Sequence, residues 1–164
     1  MKIALSTDHT GLEQVRQLKA WLESKGNVCI DYGPTTFIQD DDYPDYIFPA
    51  AESIASGECE LGIIMGGSGQ GEAMVANRVK GIRCTVYYGP AKPIGAIDAE
   101  GTEATDEFEI LRLSRQHNDA NMLSLAARFL TTEDIETAVK IWLETPYTGI
   151  ERHARRIAKF DSRS

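Results

Sequence analysis

The feature that most constrains this chain is a short apolar run, Leu61-Gly62-Ile63-Ile64-Met65, that empties directly into Gly66-Gly67-Ser68-Gly69-Gln70-Gly71-Glu72. A run of that length bounded by glycines suits a strand buried on both faces, the kind found in parallel sheets covered by helices. The glycines that follow leave backbone N–H groups free to converge on an anion at the start of a helix. The segments around it alternate in the same way. Lys2 to Thr7 reads as a strand, then Thr10-Gly11 as a turn, then a helix on which Leu12, Val15, Leu18 and Leu22 recur at helical spacing until Gly26 stops it. Val28 to Ile30 is a second strand, and Tyr43-Pro44 opens a helix carrying Ala50, Ala51, Ile54 and Ala55, closed by Gly57. A helix over Glu72 to Arg78, strands at Ile82 to Tyr87 and Met122 to Ala126, and a helix from Thr131-Thr132-Glu133-Asp134 to about Glu144 complete the series. Such alternation predicts an α/β, three-layer, Rossmann-like fold with a five-stranded parallel sheet and a C-terminal helical arm.

At 164 residues, with 42% hydrophobic and 26% charged residues, the chain matches one domain spanning 1–164. Its net charge of −8 argues against a nucleic-acid or anionic-membrane partner, so any anionic ligand needs a local cationic cluster. The acid is concentrated in a Gly- and Pro-rich stretch, about 89–113, that reads as an inserted loop. An arm at about 147–164 reverses the sign, with Arg152, Arg155, Arg156, Lys159 and Arg163. No apolar run is long enough to span a bilayer and the opening MKIALS lacks the features of a secretory leader, so a cytoplasmic location is expected. Cys29, Cys59 and Cys84 are widely spaced with no CxxC pair, which fits buried thiols in a reducing compartment rather than disulfides or a zinc site.

The glycine loop fits neither common nucleotide motif. GxxxxGK[ST] lacks its lysine, and the GxGxxG register from Gly67 meets Glu72 where glycine is required. Glu72 has two readings: a solvated acid complementing the helix dipole, or a base beside a ring of N–H donors. The second arrangement is what proton abstraction next to a carbonyl requires, since the donors stabilise the enediolate oxygen that develops. Asp8-His9 follows the first strand, and the loop follows the third, so both fall at the carboxyl edge where open parallel sheets bind ligands. His117, in Ser114-Arg115-Gln116-His117-Asn118-Asp119 just before the fifth strand, is not placed at that edge by its position alone. None of His9, His117 and His153 shows metal-ligand spacing. Arg152 and Arg156, four apart on a helical arm, form a fork suited to phosphate or simply a solvated basic end, and Arg128 adds a third cation.

Taken together, Asp8-His9-Thr10-Gly11, Asp42-Tyr43-Pro44, the Gly66–Glu72 loop with Ala76-Asn77-Arg78 behind it, Ser114 to Asp119, and Arg152-His153-Ala154-Arg155-Arg156 resemble the ribose-5-phosphate isomerase B family, which includes the galactose-6-phosphate isomerase subunits. The resemblance implies an aldose–ketose isomerase working without metal or other cofactor, opening the sugar ring and moving a proton between C1 and C2 through a cis-enediolate. It makes Glu72 the base, Ser68 with the amides of Gly67, Gly69 and Gly71 the enediolate cradle, and His117 the ring-opening acid/base. Asp8, Tyr43 and Asn118 then meet the sugar, and His9, Arg128, Arg152 and Arg156 hold the phosphate. It also implies a homodimer or dimer of dimers, with the active site between subunits and the arm reaching across. Some members place a cysteine base where this chain has Gly66; this chain resembles the glutamate branch. The acidic insertion departs from the better known members and leaves open a tetrose or hexose phosphate as substrate. The competing classes are a sugar-phosphate-binding module without catalysis and, less well matched, a dinucleotide-binding domain.

Overall fold

The structure, a computed structural model, describes residues 1–162, so Arg163 lies outside the described residues. Five strands, β1 (Lys2–Thr7), β2 (Val28–Asp31), β3 (Leu61–Gly66), β4 (Cys84–Tyr87) and β5 (Met122–Ala126), form one sheet in the order β2-β1-β3-β5-β4. Every pairing is parallel. The central β3 is buried at all six positions and β5 at all five, so neither strand has a polar face. That is the pattern of a sheet covered on both sides.

Six helices supply the cover: α1 (Leu12–Ser24), α2 (Pro44–Ala55), α3 (Gln70–Ala76), α4 (Glu109–Gln116), α5 (Thr132–Glu144) and α6 (Glu151–Asp161). Leu12, Val15, Leu18 and Leu22 of α1 and Ile135, Ala138, Val139 and Trp142 of α5 are buried. Most of these join Leu111 of α4 and one face of the sheet in a single cluster. The opposite face is closed by Ile47, Ala50, Ala51 and Ile54 of α2 with Ala73 and Ala76 of α3. Helix face follows the direction of each crossover. Crossovers stepping toward β2 place α1 on one face, those stepping toward β4 place α2 and α3 on the other, and the step back from β4 to β5 returns α4 to the first, as a uniform right-handed connection requires. The chain thus leaves β1 and β3 in opposite directions, and the gap between their carboxyl ends is the place where such sheets bind ligands.

Several boundaries differ from the sequence reading, β2 and β3 by one residue each, at Asp31 and Gly66. Helix α3 spans Gln70–Ala76 rather than 72–78, because Gly69 takes a left-handed conformation (φ +72°) that ends the loop early, while Asn77 closes the helix and turns its side chain to Cys84. Strand β4 begins at Cys84, since Ile82 donates to the Val79 carbonyl in a turn and Arg83 donates to Asn121 Oδ1. The supposed insertion, 89–113, ends in helix α4, whose Leu111 and Ser114 are buried. Of the four residues named on α2, Ala50, Ala51 and Ile54 are buried and Ala55 is exposed. Gly26 and Gly57 end α1 and α2 as expected, both at positive φ. No helix among the described residues is long and apolar enough to cross a membrane.

Candidate active site

The glycine loop sits at the carboxyl end of β3, strapped to the turn after β5. Ala127 N–H donates to the Gly66 carbonyl at 2.9 Å and Arg128 N–H to that of Gly67 at 3.2 Å. The buried Ser124 hydroxyl donates to the Gly69 carbonyl at 2.6 Å. With its carbonyls tied back in this way, the loop is held rigidly, while Ser68 Oγ makes only a long 3.4 Å contact with Gln70 N–H.

Glu72 does not project into solvent. It is 4% exposed, and its carboxyl group occupies the space beside Gly66: a β-carbon built on Gly66 would overlap the Glu72 Cδ and both its oxygens. Glycine at 66 is therefore what admits this carboxylate to the start of the loop. Burial raises the Glu72 pKa above the usual glutamate range, and the nearby Asp8 carboxylate raises it further, against a smaller opposing pull from its own amide N–H. Cys84 lies within the field of Glu72, and burial holds its thiol far above the ordinary range. It is a protonated neighbour, not a rival base.

Around this carboxylate stand residues from three elements. Asp8, 7% exposed, follows β1 and accepts from the Thr10 amide and hydroxyl. Tyr43, at the start of α2, brings its hydroxyl to 2.8 Å from a β-carbon built on Gly71, so its ring fills the space glycine leaves there. The Arg128 guanidinium carbon lies 3.4 Å from the corresponding position on Gly67. His9 is fixed by a residue that the sequence reading missed: its Nδ1 is 2.6 Å from Asp41 Oδ1, and the Asp41 side chain is only 3% exposed. Asp41 sits in the acidic run Asp40-Asp41-Asp42 before α2, where sequence alone does not set one carboxylate apart from its neighbours. Asp8, His9 and Asp41 bring ligand-type atoms within 4.8 Å of one another, a constellation that linear spacing conceals because Asp41 comes from a distant loop. Its members are already engaged with each other and with Thr10, and with Nδ1 so occupied the remaining ring nitrogen for a ligand is His9 Nε2.

The remaining candidates lie at the other edge of the sheet. His117 caps the C-terminus of α4, which runs antiparallel to the strands and ends at their amino edge. The segment after it is pinned there: Asn121 accepts from Gly62 N–H through its carbonyl, and its side chain bonds Arg83 N–H and the Gly81 carbonyl. Asp119, left-handed at φ 46°, pairs with Arg83 at 2.8 Å. The arm follows. Thr148 donates to the Gln116 carbonyl, His153 stacks on His117 with ring centroids 4.1 Å apart, and Arg152 Nε lies 3.3 Å from His153 Nε2. His153, which had no assigned part, is buried, and its pKa is lowered by that burial and by the charges of His117, Arg152 and Arg156. Asn118 and Arg156 are exposed.

The candidate residues therefore fall into two groups, Asp8, His9, Tyr43, Gly67, Ser68, Gly69, Gly71, Glu72 and Arg128 at the carboxyl edge, and His117, Asn118, Arg152 and Arg156 at the amino edge. Strands of five or six residues keep the edges roughly 15–20 Å apart.

The sequence model of the family described as Ribose/Galactose Isomerase matches residues 3–93 and 101–160. Ribose-5-phosphate isomerase B of Mycolicibacterium paratuberculosis is 33% identical over 157 residues, 96% of this chain and 87% of that protein. The solved structure of Clostridium thermocellum ribose-5-phosphate isomerase B superposes with a TM-score of 0.84 at 33% identity, covering 99% of this chain and 96% of that one. The Mycoplasma genitalium enzyme, solved with bound ribulose 5-phosphate, matches with a TM-score of 0.82 at 31% identity over 98% of this chain and 94% of that one.

Proposed function

The chain belongs to the ribose/galactose isomerase family, and from that membership and the site geometry we propose that it isomerises a phosphorylated aldose to its ketose, ribose 5-phosphate to ribulose 5-phosphate. The observation that carries the proposal is the Glu72 carboxyl group lodged against Gly66 at the mouth of the cradle. In the open-chain sugar, Glu72 removes the C2 proton and returns it to C1, while the O2 hydroxyl proton passes to O1 as the C2 carbonyl forms. The amides of residues 67–71 and the Ser68 hydroxyl take up the negative charge that moves onto the carbonyl oxygen. Donors aimed at such an oxygen are worth about 2.7–4 kcal/mol each in other enzymes, and a positioned base about 10²- to 10⁴-fold. Asp8 and Tyr43 orient the sugar, and His9 and Arg128 bind its phosphate.

Ring opening needs an acid/base, His117, that no single chain brings to its own cradle. The reading therefore takes the protein as a homodimer, or a dimer of dimers, in which His117, Asn118, Arg152 and Arg156 of a second copy complete each site. Three exposed apolar side chains accompany the cradle: Phe37 edge-on to His9, Met74 in α3 and Phe129 after Arg128. Uncovered apolar surface next to a polar site favours a protein partner over water. Residues 1–164 act as one catalytic domain, and three free buried cysteines agree with work in the cytoplasm.

The deciding experiment is a panel of tetrose, pentose and hexose phosphates assayed for aldose–ketose conversion. The expected outcome is the highest kcat/KM with ribose 5-phosphate; a tetrose or hexose preferred by a large factor removes the pentose assignment, and tight binding without any conversion removes the enzyme.

A further inference from the structure

We propose that Glu100, in the acidic insertion, is an affinity-determining residue that occupies Arg152 as a stand-in for substrate phosphate and must be displaced when phosphate binds. The inference rests on the reading of Arg152 as a phosphate ligand. The family model matches on either side of residues 94–100 but not through them, and Glu100 closes that unmatched segment. Its carboxylate meets the guanidinium in a two-pronged contact, Oε1 on Nη1 and Oε2 on Nη2, the latter at 2.8 Å. That fork is also the geometry with which arginine grips a phosphate, so the two anions compete for the same donors.

The turn presenting Glu100 is ordered by its own bonds. Asp98 Oδ1 accepts from the amides of Glu100 and Thr102, at 3.0 and 2.9 Å, Ile97 N–H donates to the Thr102 carbonyl at 2.8 Å, and Gly101 takes φ +84° to close the bend. Asp98 adds a second negative charge within the field of Arg152. The neighbouring arginines are not engaged by the insertion: Arg155 pairs with Glu151, and Arg156 makes no ion pair among the described residues. The insertion thus neutralises one arm of the expected phosphate fork and leaves the other bare. Both partners belong to one chain, so the pair travels together to whichever cradle the arm completes. A phosphate dianion outcompetes a carboxylate for Arg152, whereas an uncharged sugar gains nothing there. The pair is 30% and 58% exposed at its two side chains, so its strength lies in the range of exposed ion pairs, and its removal changes phosphate affinity by about two- to fivefold.

The test compares Glu100→Gln, Glu100→Ala, Arg152→Gln and the Glu100→Gln/Arg152→Gln double variant, reading KM for ribose 5-phosphate and the competitive Ki of inorganic phosphate. Both Glu100 variants are expected to lower KM and Ki by about two- to fivefold with kcat little changed, and Glu100→Gln is expected to have no effect once Arg152 is Gln. If Arg152→Gln weakens binding while the Glu100 variants leave KM and Ki unchanged or raise them, the competition is refuted and the phosphate ligand stands. If Arg152→Gln itself leaves KM and Ki unaltered, the assignment of Arg152 fails, and the proposal with it.

Discussion

At position 66 a single β-carbon decides whether a carboxylate can reach the cradle. Gly66→Ala is expected to drive the Glu72 carboxyl group from its place and lower kcat/KM at least tenfold with ribose 5-phosphate while the far-ultraviolet circular dichroism is unchanged; a fully active alanine variant contradicts the placement. The pKa of Glu72 is raised on folding, so through the interval between its unfolded and folded pKa values the unfolded chain binds fewer protons, and stability falls as pH rises. Glu72→Gln is therefore expected to have a higher Tm than the parent protein at neutral pH, with the gain fading as pH drops below the unfolded pKa of a glutamate. Thermal melts at several pH values measure this directly. The acid limb of kcat/KM belongs above the usual glutamate range for the same reason. Sequence singled out Glu72 and its glycines because residue types and spacing carry that information. It assigned no part to Asp41, Ser124 or His153, because pairing with His9, Gly69 or His117 arises only once distant loops meet.

Among the elements, those with strong periodicity or end signals were legible, and those whose limits depend on tertiary contacts were not. Helix α5 shows the first case. Thr131 accepts from Asp134 N–H and Asp134 accepts from Thr131 N–H, a reciprocal cap visible in the sequence as Thr131-Thr132-Glu133-Asp134. Thr131→Ala is expected to reduce unfolding free energy by about 1 kcal/mol in denaturant titration without altering kcat. Helix α4 shows the second. Its first turn is embedded in acidic, Gly- and Pro-rich sequence, and what stabilises it is contact with α5: Ser114 Oγ donates to the Leu111 carbonyl and accepts from Trp142 Nε1, while Arg115 lies 5.2 Å above the Trp142 ring. The start of α3 was misplaced for a related reason. Gly71 reads as loop, yet it is helical, since left-handed Gly69 starts the helix ahead of it, and the Tyr43 hydroxyl takes the space a side chain at 71 would need.

For the molecule as a whole, Glu72 follows β3 at the carboxyl edge of the sheet while His117 ends α4 ahead of β5 at the amino edge, so the proposed base and the proposed ring-opening histidine of one chain stand apart. A shared site makes a specific demand. Glu72→Gln and His117→Asn homodimers are each expected to be nearly inactive, yet after subunit exchange half the molecules are hybrids with one intact site, restoring about a quarter of wild-type activity. A mixture no more active than its parts contradicts the shared site. The central claim, that the Glu72 carboxylate carries the proton, is tested most directly by following deuterium from solvent into C2 of ribose 5-phosphate as ribulose 5-phosphate is converted in heavy water. The parent enzyme is expected to label C2, and Glu72→Gln to lose both labelling and turnover by about 10²- to 10⁴-fold while still binding the sugar phosphate. Labelling and turnover that persist near parental rates without that carboxylate would contradict the claim.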